Sequence, residues 1–401
     1  MSVLVVGAGP AGCATALGLA RRGVEVVLIE RGRFPRDKVC GDVLLPEAQQ
    51  ALADLGLDLA PLAARCHRID RCRYHAPSGL CVELPFCDRH GESRPWWVVK
   101  RRDFDGWLVA QACAAGAGLC EGVSAVDLVI RDAAVAGVVV RDDGGARREI
   151  AAAAVVGADG ASSTLARALG RFERPAAHLC VAVRGYAPSP HGDDPVFDIY
   201  TSARTLPGCA WHVPTGDGCA NVGLGVLRSD LDRQRIGARA LLDEVAGRYP
   251  ELAQRLAAAT GVVGWSLPGA SLPLSRSTAG ALLVGDAGCM VDPWTGHGIH
   301  TALIAGSLAA DVVADALAAG EVGAGALGRF DRLWQQRFGL EMKLGWLLQR
   351  FCASPGRVEA MLALAARSER RRQIIGGLIG HAYPRQRWLD PQLGLRFAIG
   401  R

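Results

Sequence analysis

The chain has 401 residues, half of them hydrophobic and about a fifth charged, which excludes a disordered or collagen-like polymer. That length suits one large domain or two to three interleaved ones. The 45 basic residues exceed the 40 acids mainly at the C-terminal end, where from Arg367 onward eight arginines face only Glu369 and Asp390. The remainder is near neutral and has no basic stripe interleaved with aromatics, so no nucleic acid partner is expected. Arg370, Arg371 and Arg372 read as a solvated helix face, with a dock for anionic lipid as the alternative.

The longest apolar stretch, Thr301 to Ala319, is cut by Asp311 and Asp315. No membrane-spanning helix is therefore expected, and any membrane contact should be peripheral. Met1 leads directly into Val3-Leu4-Val5-Val6-Gly7 without a charged leader, which reads as a cytoplasmic chain whose 13 cysteines are reduced thiols.

In chain order, residues 3–7 form a short apolar strand, Ala11 to Arg22 a helix closed by Gly23, and Val24 to Ile29 a second buried strand ending at Glu30. Together these are one βαβ unit. Residues 46–56 and 103–116 carry helical periodicity. Ala136 to Val156 reads as two strands about the turn Asp142-Asp143-Gly144-Gly145, followed by a buried strand into Gly157. Leu179 to Leu227 alternates and is punctuated by glycines, as an antiparallel sheet would be. Leu282-Leu283-Val284 is a further buried strand before a glycine-rich loop and a helix from Ile299, and residues 325–375 are mostly helical.

Cys66, His67, Cys72, His75, Cys81, Cys87 and His90 crowd one stretch. The two Cys pairs, Cys66/Cys72 and Cys81/Cys87, are each separated by five residues, wider than paired zinc ligands use, so the run reads as scattered thiols and no metal is expected.

Three glycine-bearing loops carry the chemistry. The first, Gly7-x-Gly9-x-x-Gly12, follows a strand, opens a helix and is completed by Glu30 at the tip of the next strand. Glycines there let the backbone approach a pyrophosphate, the helix N-terminus stabilises its charge, and Glu30, beside Arg31, accepts from a ribose hydroxyl. The second is Gly157-Ala158-Asp159-Gly160. The third is Gly285-Asp286-Ala287-Gly288, continuing through Pro293-Trp294-Thr295-Gly296-His297-Gly298-Ile299. In the third, Asp286 can accept from a ribityl or ribose hydroxyl, and Gly296 and Gly298 free backbone N–H groups for a carbonyl that becomes negative on reduction.

These loops, in this order, resemble the single-component flavoprotein monooxygenases typified by p-hydroxybenzoate hydroxylase. Within that superfamily the chain most resembles the geranylgeranyl reductase family. Lys38-Val39-Cys40-Gly41-Asp42 is similar to its K-x-C-G stretch, and Pro207-Gly208-Cys209-Ala210-Trp211-His212-Val213-Pro214 with Gly223-Leu224-Gly225 to its Y-x-W-x-F-P…G-x-G signature. Cys209 replaces the signature Tyr and Val213 the Phe.

The resemblance implies an α/β (α+β) fold: a Rossmann-type FAD-binding domain from 1–75, 100–175 and 270–325, interleaved with an antiparallel-sheet substrate domain from 76–99 and 176–269, and a helical region over 326–401. It implies non-covalent FAD, with Arg101 reaching the phosphates, Val123 meeting the adenine through its backbone, and Cys40 lining the substrate cavity. The blander readings remain beside these: an assignment shifted to Lys100 or Arg102, and Cys40 as a small packed residue. Trp211 reads as a cavity wall or a core aromatic, Pro293 as part of the flavin loop, and His297 as a surface histidine rather than a proton donor.

The implied reaction is hydride transfer between flavin and a carbon–carbon double bond of a hydrophobic small molecule. Hydroxylation with NAD(P)H and oxygen is the alternative. Halogenation is disfavoured because none of the three lysines, Lys38, Lys100 and Lys343, sits in the halogenase pattern, and a non-catalytic flavin-binding protein is the remaining class. No second three-glycine unit is visible, so electrons should come from transiently docked NAD(P)H or from an electron-donor protein.

Overall fold

The structure is a computed structural model and describes residues 2–189, 194–382 and 385–386. Its centre is a six-stranded sheet in the order Ser277–Thr278, Ala281–Leu283, Ala154–Gly157, β1 (Val3–Val6), β2 (Val26–Glu30), Gly118–Glu121. All neighbouring strands run parallel except the first pair. A parallel strand buried on both faces needs apolar residues throughout, and β1 supplies four in a row, none more than 4% exposed.

Alternation assigns the two faces. Val3 and Val5 pack toward helix α1 (Pro10–Arg21) and the helix Ile299–Ala318, while Leu4 and Val6 pack toward Val138 and Val140. Those two valines belong to a three-stranded antiparallel sheet of Val123–Arg131, Ala134–Asp142 and Arg147–Ala151. The two helices touch at small residues. A Cβ on Gly306 would lie 2.4 Å from the Ala11 carbonyl oxygen, and one on Gly18 would lie 2.6 Å from the Ala310 Cβ. By length and hydropathy Ile299–Ala318 is sufficient to cross a membrane, contrary to the expectation from its two aspartates. Here it packs as a core helix against α1.

The second sheet has seven strands in the order Thr260–Pro268, Leu179–Pro188, Cys219–Leu227, Cys209–Pro214, Val196–Tyr200, Arg71–His75, Cys81–Pro85. Its pairings are antiparallel except that between Val196–Tyr200 and Arg71–His75. Two expected boundaries move. Arg71–His75 belongs to this sheet, not to the segment ending at 75. Trp96–Val98 leaves it to pair with Val43–Leu44 and His67–Ile69 in a small sheet of its own. Of the C-terminal helices, Arg329–Cys352 packs on Ile299–Ala318, while Pro355–Ala366 and Glu369–Ile379 pack on the edge strand Cys81–Pro85.

Candidate functional site

The first glycine loop is explained by close approaches. A Cβ on Gly7, which has φ +102°, would fall 2.3 Å from the Ala158 carbonyl oxygen, and one on Gly12 would fall 1.9 Å from the Gly7 carbonyl oxygen. The turn, the helix and the second glycine loop thus touch backbone to backbone. Gly9 is different: a Cβ there meets nothing within 4 Å. It is the N-cap of α1, and no side chain caps that terminus. Open space in front of free N–H groups at a helix N-terminus is the environment an anionic phosphate requires.

Glu30 closes the other side of this space. Its carboxylate accepts from the Ala8 N–H (2.9 Å) and the Gly32 N–H (2.9 Å). Arg36 then bridges Glu30 (3.3 Å) to Asp105 (2.9 Å), and Asp105 receives both Arg101 Nε and Nη2 at 2.7 Å. Arg101 and Asp105 are almost fully buried. Burial works against the Arg101 charge, but Asp105 and Cys40 outweigh it, so the guanidinium stays charged. Arg36 was not singled out by sequence; Arg31, which was, is exposed. Asp159 spends its oxygens on Ser163 Oγ (2.5 Å), the Thr164 N–H (2.7 Å) and the Leu165 N–H (3.3 Å), capping a short helix. Gly160 beside it has φ +78°. Val123 opens its strand half-buried, with its backbone paired to Asp142.

From Arg101 the site opens into a large cavity of about 260 Å³. Cys40, Arg101, Trp211 and Pro293 line it, as do Asp286, Gly296, Gly298 and Ile299 at the third loop. Gly298 is the N-cap of Ile299–Ala318, again with no side-chain cap, so a second free helix N-terminus faces this space. Lys38 enters as well, its Nζ 3.1 Å from Asp286 Oδ2. The far wall is apolar: Tyr74, Phe197 and Ile199 from the seven-stranded sheet meet Met361 and Ile379 from the C-terminal helices. The C-terminal helical region thus contributes to the wall of this cavity. The indole N–H of Trp265, also on the lining, is buried without a partner.

The segment bearing Cys40 is strapped to the sheet. Arg184 Nη2 holds Asp37 (2.8 and 2.7 Å) and the Lys38 carbonyl (3.1 Å). Asn221 Nδ2 donates to the Cys40 carbonyl (2.7 Å) and to Asp42 (2.8 Å), while its Oδ1 accepts from Trp211 Nε1 (2.9 Å). Asp42 also accepts from the Tyr186 hydroxyl (2.6 Å) and the Arg101 N–H (3.2 Å). One fully buried amide, Asn221, therefore orients both Cys40 and Trp211. Nothing in the sequence marks it beyond its place two residues before Gly223.

Behind the third loop lies a buried knot. Asp292 accepts from the Trp294 and Thr295 N–H groups (2.8 and 2.9 Å) and pairs with Arg385 (2.5 Å). Gln349 Nε2 donates to the Pro293 carbonyl. His297, expected at the surface, is half-buried against Trp96 and His381, and burial pushes its pKa down to about 3. Burial likewise lowers His300 to about 4. Burial opposes the charge on Glu47, but His381 and His300 outweigh it and hold the carboxyl at about 2.

Glu47, His300 and His381 converge within 4.8 Å, the outline of a metal triad. Arg385 argues against that use. Its Nη2, which can only donate, lies 3.0 Å from His381 Nε2, so Nε2 accepts and Nδ1 carries the proton toward Glu47. A metal on Nδ1 would move that proton to Nε2, against the guanidinium. The cysteine- and histidine-rich run of residues 66–90 forms no three-ligand cluster among the described residues.

A family model described as FAD binding domain matches residues 1–323, and the chain belongs to that family. It is 34% identical over 330 residues to a menaquinone reductase of Mycolicibacterium smegmatis, covering 78% of this chain and 76% of the relative. Digeranylgeranylglycerophospholipid reductase 1 of Methanopyrus kandleri is 31% identical over 342 residues, covering 84% and 86%. A crystal structure of a geranylgeranyl bacteriochlorophyll reductase-like protein from Thermoplasma acidophilum superposes with TM-score 0.80 at 24% identity, covering 91% of each chain; that likeness establishes the fold. The chain is an FAD-dependent oxidoreductase of this reductase group.

Proposed function

We propose that the chain saturates carbon–carbon double bonds in the prenyl chain of a lipid or quinone. The observation that carries this reading is one continuous cavity. It runs from two uncapped helix N-termini, reached at Pro10 and at Gly298, to an apolar end walled by Tyr74, Phe197, Ile199, Met361 and Ile379. Support also comes from the names of the relatives, which act on menaquinone and on a digeranylgeranyl lipid.

The residues present fit FAD. Gly7, Gly9 and Gly12 would take the pyrophosphate, with Arg101 held charged beside it. Glu30, with Arg31 at its edge, would take the ribose, Val123 the adenine, Asp159 and Gly160 the flank of that turn, and Asp286 the ribityl chain. Gly296, Gly298 and Ile299 would present N–H groups to the ring. When bound, FAD supplies the hydride for a carbon–carbon bond.

The chain's own residues supply the rest. Trp211, Trp265 and Trp294 line the cavity with aromatic surface that excludes water. Pro293, its carbonyl held by Gln349, fixes the loop that faces the substrate. Cys40 carries the S–H that completes saturation: its proton goes to the carbon that does not receive hydride, and Arg101 stabilises the thiolate left behind. No second glycine-rich βαβ unit occurs among the described elements, so electrons arrive from transiently docked NAD(P)H or a donor protein.

The test is a single anaerobic turnover. Protein reduced chemically and mixed with a geranylgeranyl lipid or menaquinone should regain the oxidised flavin spectrum, and its product should carry two added hydrogens per reduced double bond. A flavin that stays reduced with every prenyl compound offered would refute the proposal.

A further inference from the structure

Six large apolar side chains are strongly exposed among the described residues, and four of them are on the C-terminal helices. Leu340 (46% exposed), Leu347 (48%) and Phe351 (41%) are on Arg329–Cys352, and Leu364 (39%) is on Pro355–Ala366. At ~100° per residue the first three fall within about 40° of one another around the helix axis. Half-buried Leu333 and Leu344 extend the same stripe.

Exposed cations flank it on both sides: Arg337 on one, Arg332, Lys343 and Arg350 on the other. None of these four forms an ion pair with a described residue. Arg350 instead lies over the Trp346 ring and Arg357 over Phe351. The only acids on this helix are Asp331, held by Ser275 and Ser277, and Glu341, which is buried facing Arg385.

An apolar stripe bordered by unpaired cations is the pattern of a helix lying in a lipid interface, apolar side down and charges at the headgroups. A second copy of this chain would bring the same cations against each other, so charge complementarity favours an anionic surface. The opposite face of the same helix is the cavity wall, where Gln349 and Cys352 line the space, joined by Met361 from the next helix. The triple-arginine run is a poorer candidate for this contact, since Arg370 and Arg372 donate to the carbonyls of Arg89 and Ala366.

We infer that the outer face formed by Leu340, Leu347 and Phe351 docks on anionic bilayers. It thereby sets the cavity wall one helix thickness from the membrane in which prenyl substrates are dissolved. The purpose of this contact rests on the prenyl reading of the cavity; the contact itself does not, and it is measured without turnover.

The experiment is flotation of full-length, FAD-loaded protein with phosphatidylcholine vesicles, with and without phosphatidylglycerol. Binding should require phosphatidylglycerol and weaken with salt. The double substitution Leu347→Glu and Phe351→Glu should cut partitioning by about tenfold or more, with FAD content and melting temperature retained. Lys343→Gln with Arg350→Gln should weaken binding and flatten its salt dependence. Wild-type protein that stays with the aqueous phase, or a Leu347→Glu, Phe351→Glu protein that floats as well as wild type, would overturn the inference. If that variant also converted a dimer to a monomer, the face would belong to a second copy.

Discussion

Gly9→Val separates cofactor binding from folding. Gly9 has φ −82°, ordinary for any residue, and its added Cβ meets nothing within 4 Å. The empty protein should therefore tolerate valine at a cost of no more than about 1 kcal/mol, the scale of an altered N-cap. FAD should not tolerate it. A branched side chain there occupies the space in front of the first-turn N–H groups and displaces the pyrophosphate. Losing two charge-assisted hydrogen bonds at ~1.5–3 kcal/mol each corresponds to an affinity about 10² to 10⁴ weaker. Gly12→Ala is the contrasting control, since its Cβ would lie 1.9 Å from the Gly7 carbonyl oxygen, and overpacking of this kind costs several kcal/mol of stability. The assay is thermal unfolding of the apoproteins together with FAD titration followed by flavin fluorescence. A Gly9→Val protein that binds FAD within about tenfold of wild type would refute the placement of the phosphates. One that fails to fold without FAD would refute the open-space reading.

Cys40→Ala should keep FAD bound but slow substrate-dependent reoxidation and change its solvent isotope effect, with Cys40→Ser recovering part of the rate; loss of flavin would instead assign Cys40 to packing. Trp211→Ala should keep FAD and alter turnover or product while costing about 3 kcal/mol of stability, and Trp211→Phe should cost less. A third expectation concerns acid. His297 at about 3 and His300 at about 4 lie below the ~6.5 of an unfolded histidine. The unfolded chain then binds more protons below pH ~6.5, so stability present above that pH is lost as pH falls toward the folded values. The loss at pH 5 is about 2 kcal/mol for each histidine, with Glu47 adding to it only below the unfolded carboxylate range. Urea midpoints of the apoprotein at pH 7 and pH 5 should show the loss, and His297→Gln with His300→Gln should flatten it; equal wild-type midpoints would sink this reading of the knot.

The parts of the site that were legible in the sequence are those where backbone geometry dictates residue type. Gly7 and Gly12 are forced by contacts of 2.3 and 1.9 Å, and such contacts repeat in sequence as fixed glycine spacing. The four-residue apolar run of β1 is likewise forced by burial on both faces, so the central sheet is readable from its apolar runs alone. What escaped were partnerships between distant residues of ordinary type. Asn221 ties Cys40 to Trp211 across 181 positions of chain, and Arg36 links Glu30 to Asp105; neither has a neighbouring residue that marks it. The misplacement of His297 has the same origin. Its loop looks exposed because glycines surround it, and only the return of the chain to His381 and Arg385 buries it. The C-terminal helices are the clearest instance. Their periodicity revealed the helices but not their orientation, because Arg329–Cys352 is apolar on two faces. The face bearing Met342, Gly345 and Cys352 is satisfied inside the protein, against the third loop and the cavity. The face bearing Leu340, Leu347 and Phe351 is exposed among the described residues, and a helix that is apolar on a second side calls for a further contact there, the one assigned above to an anionic bilayer.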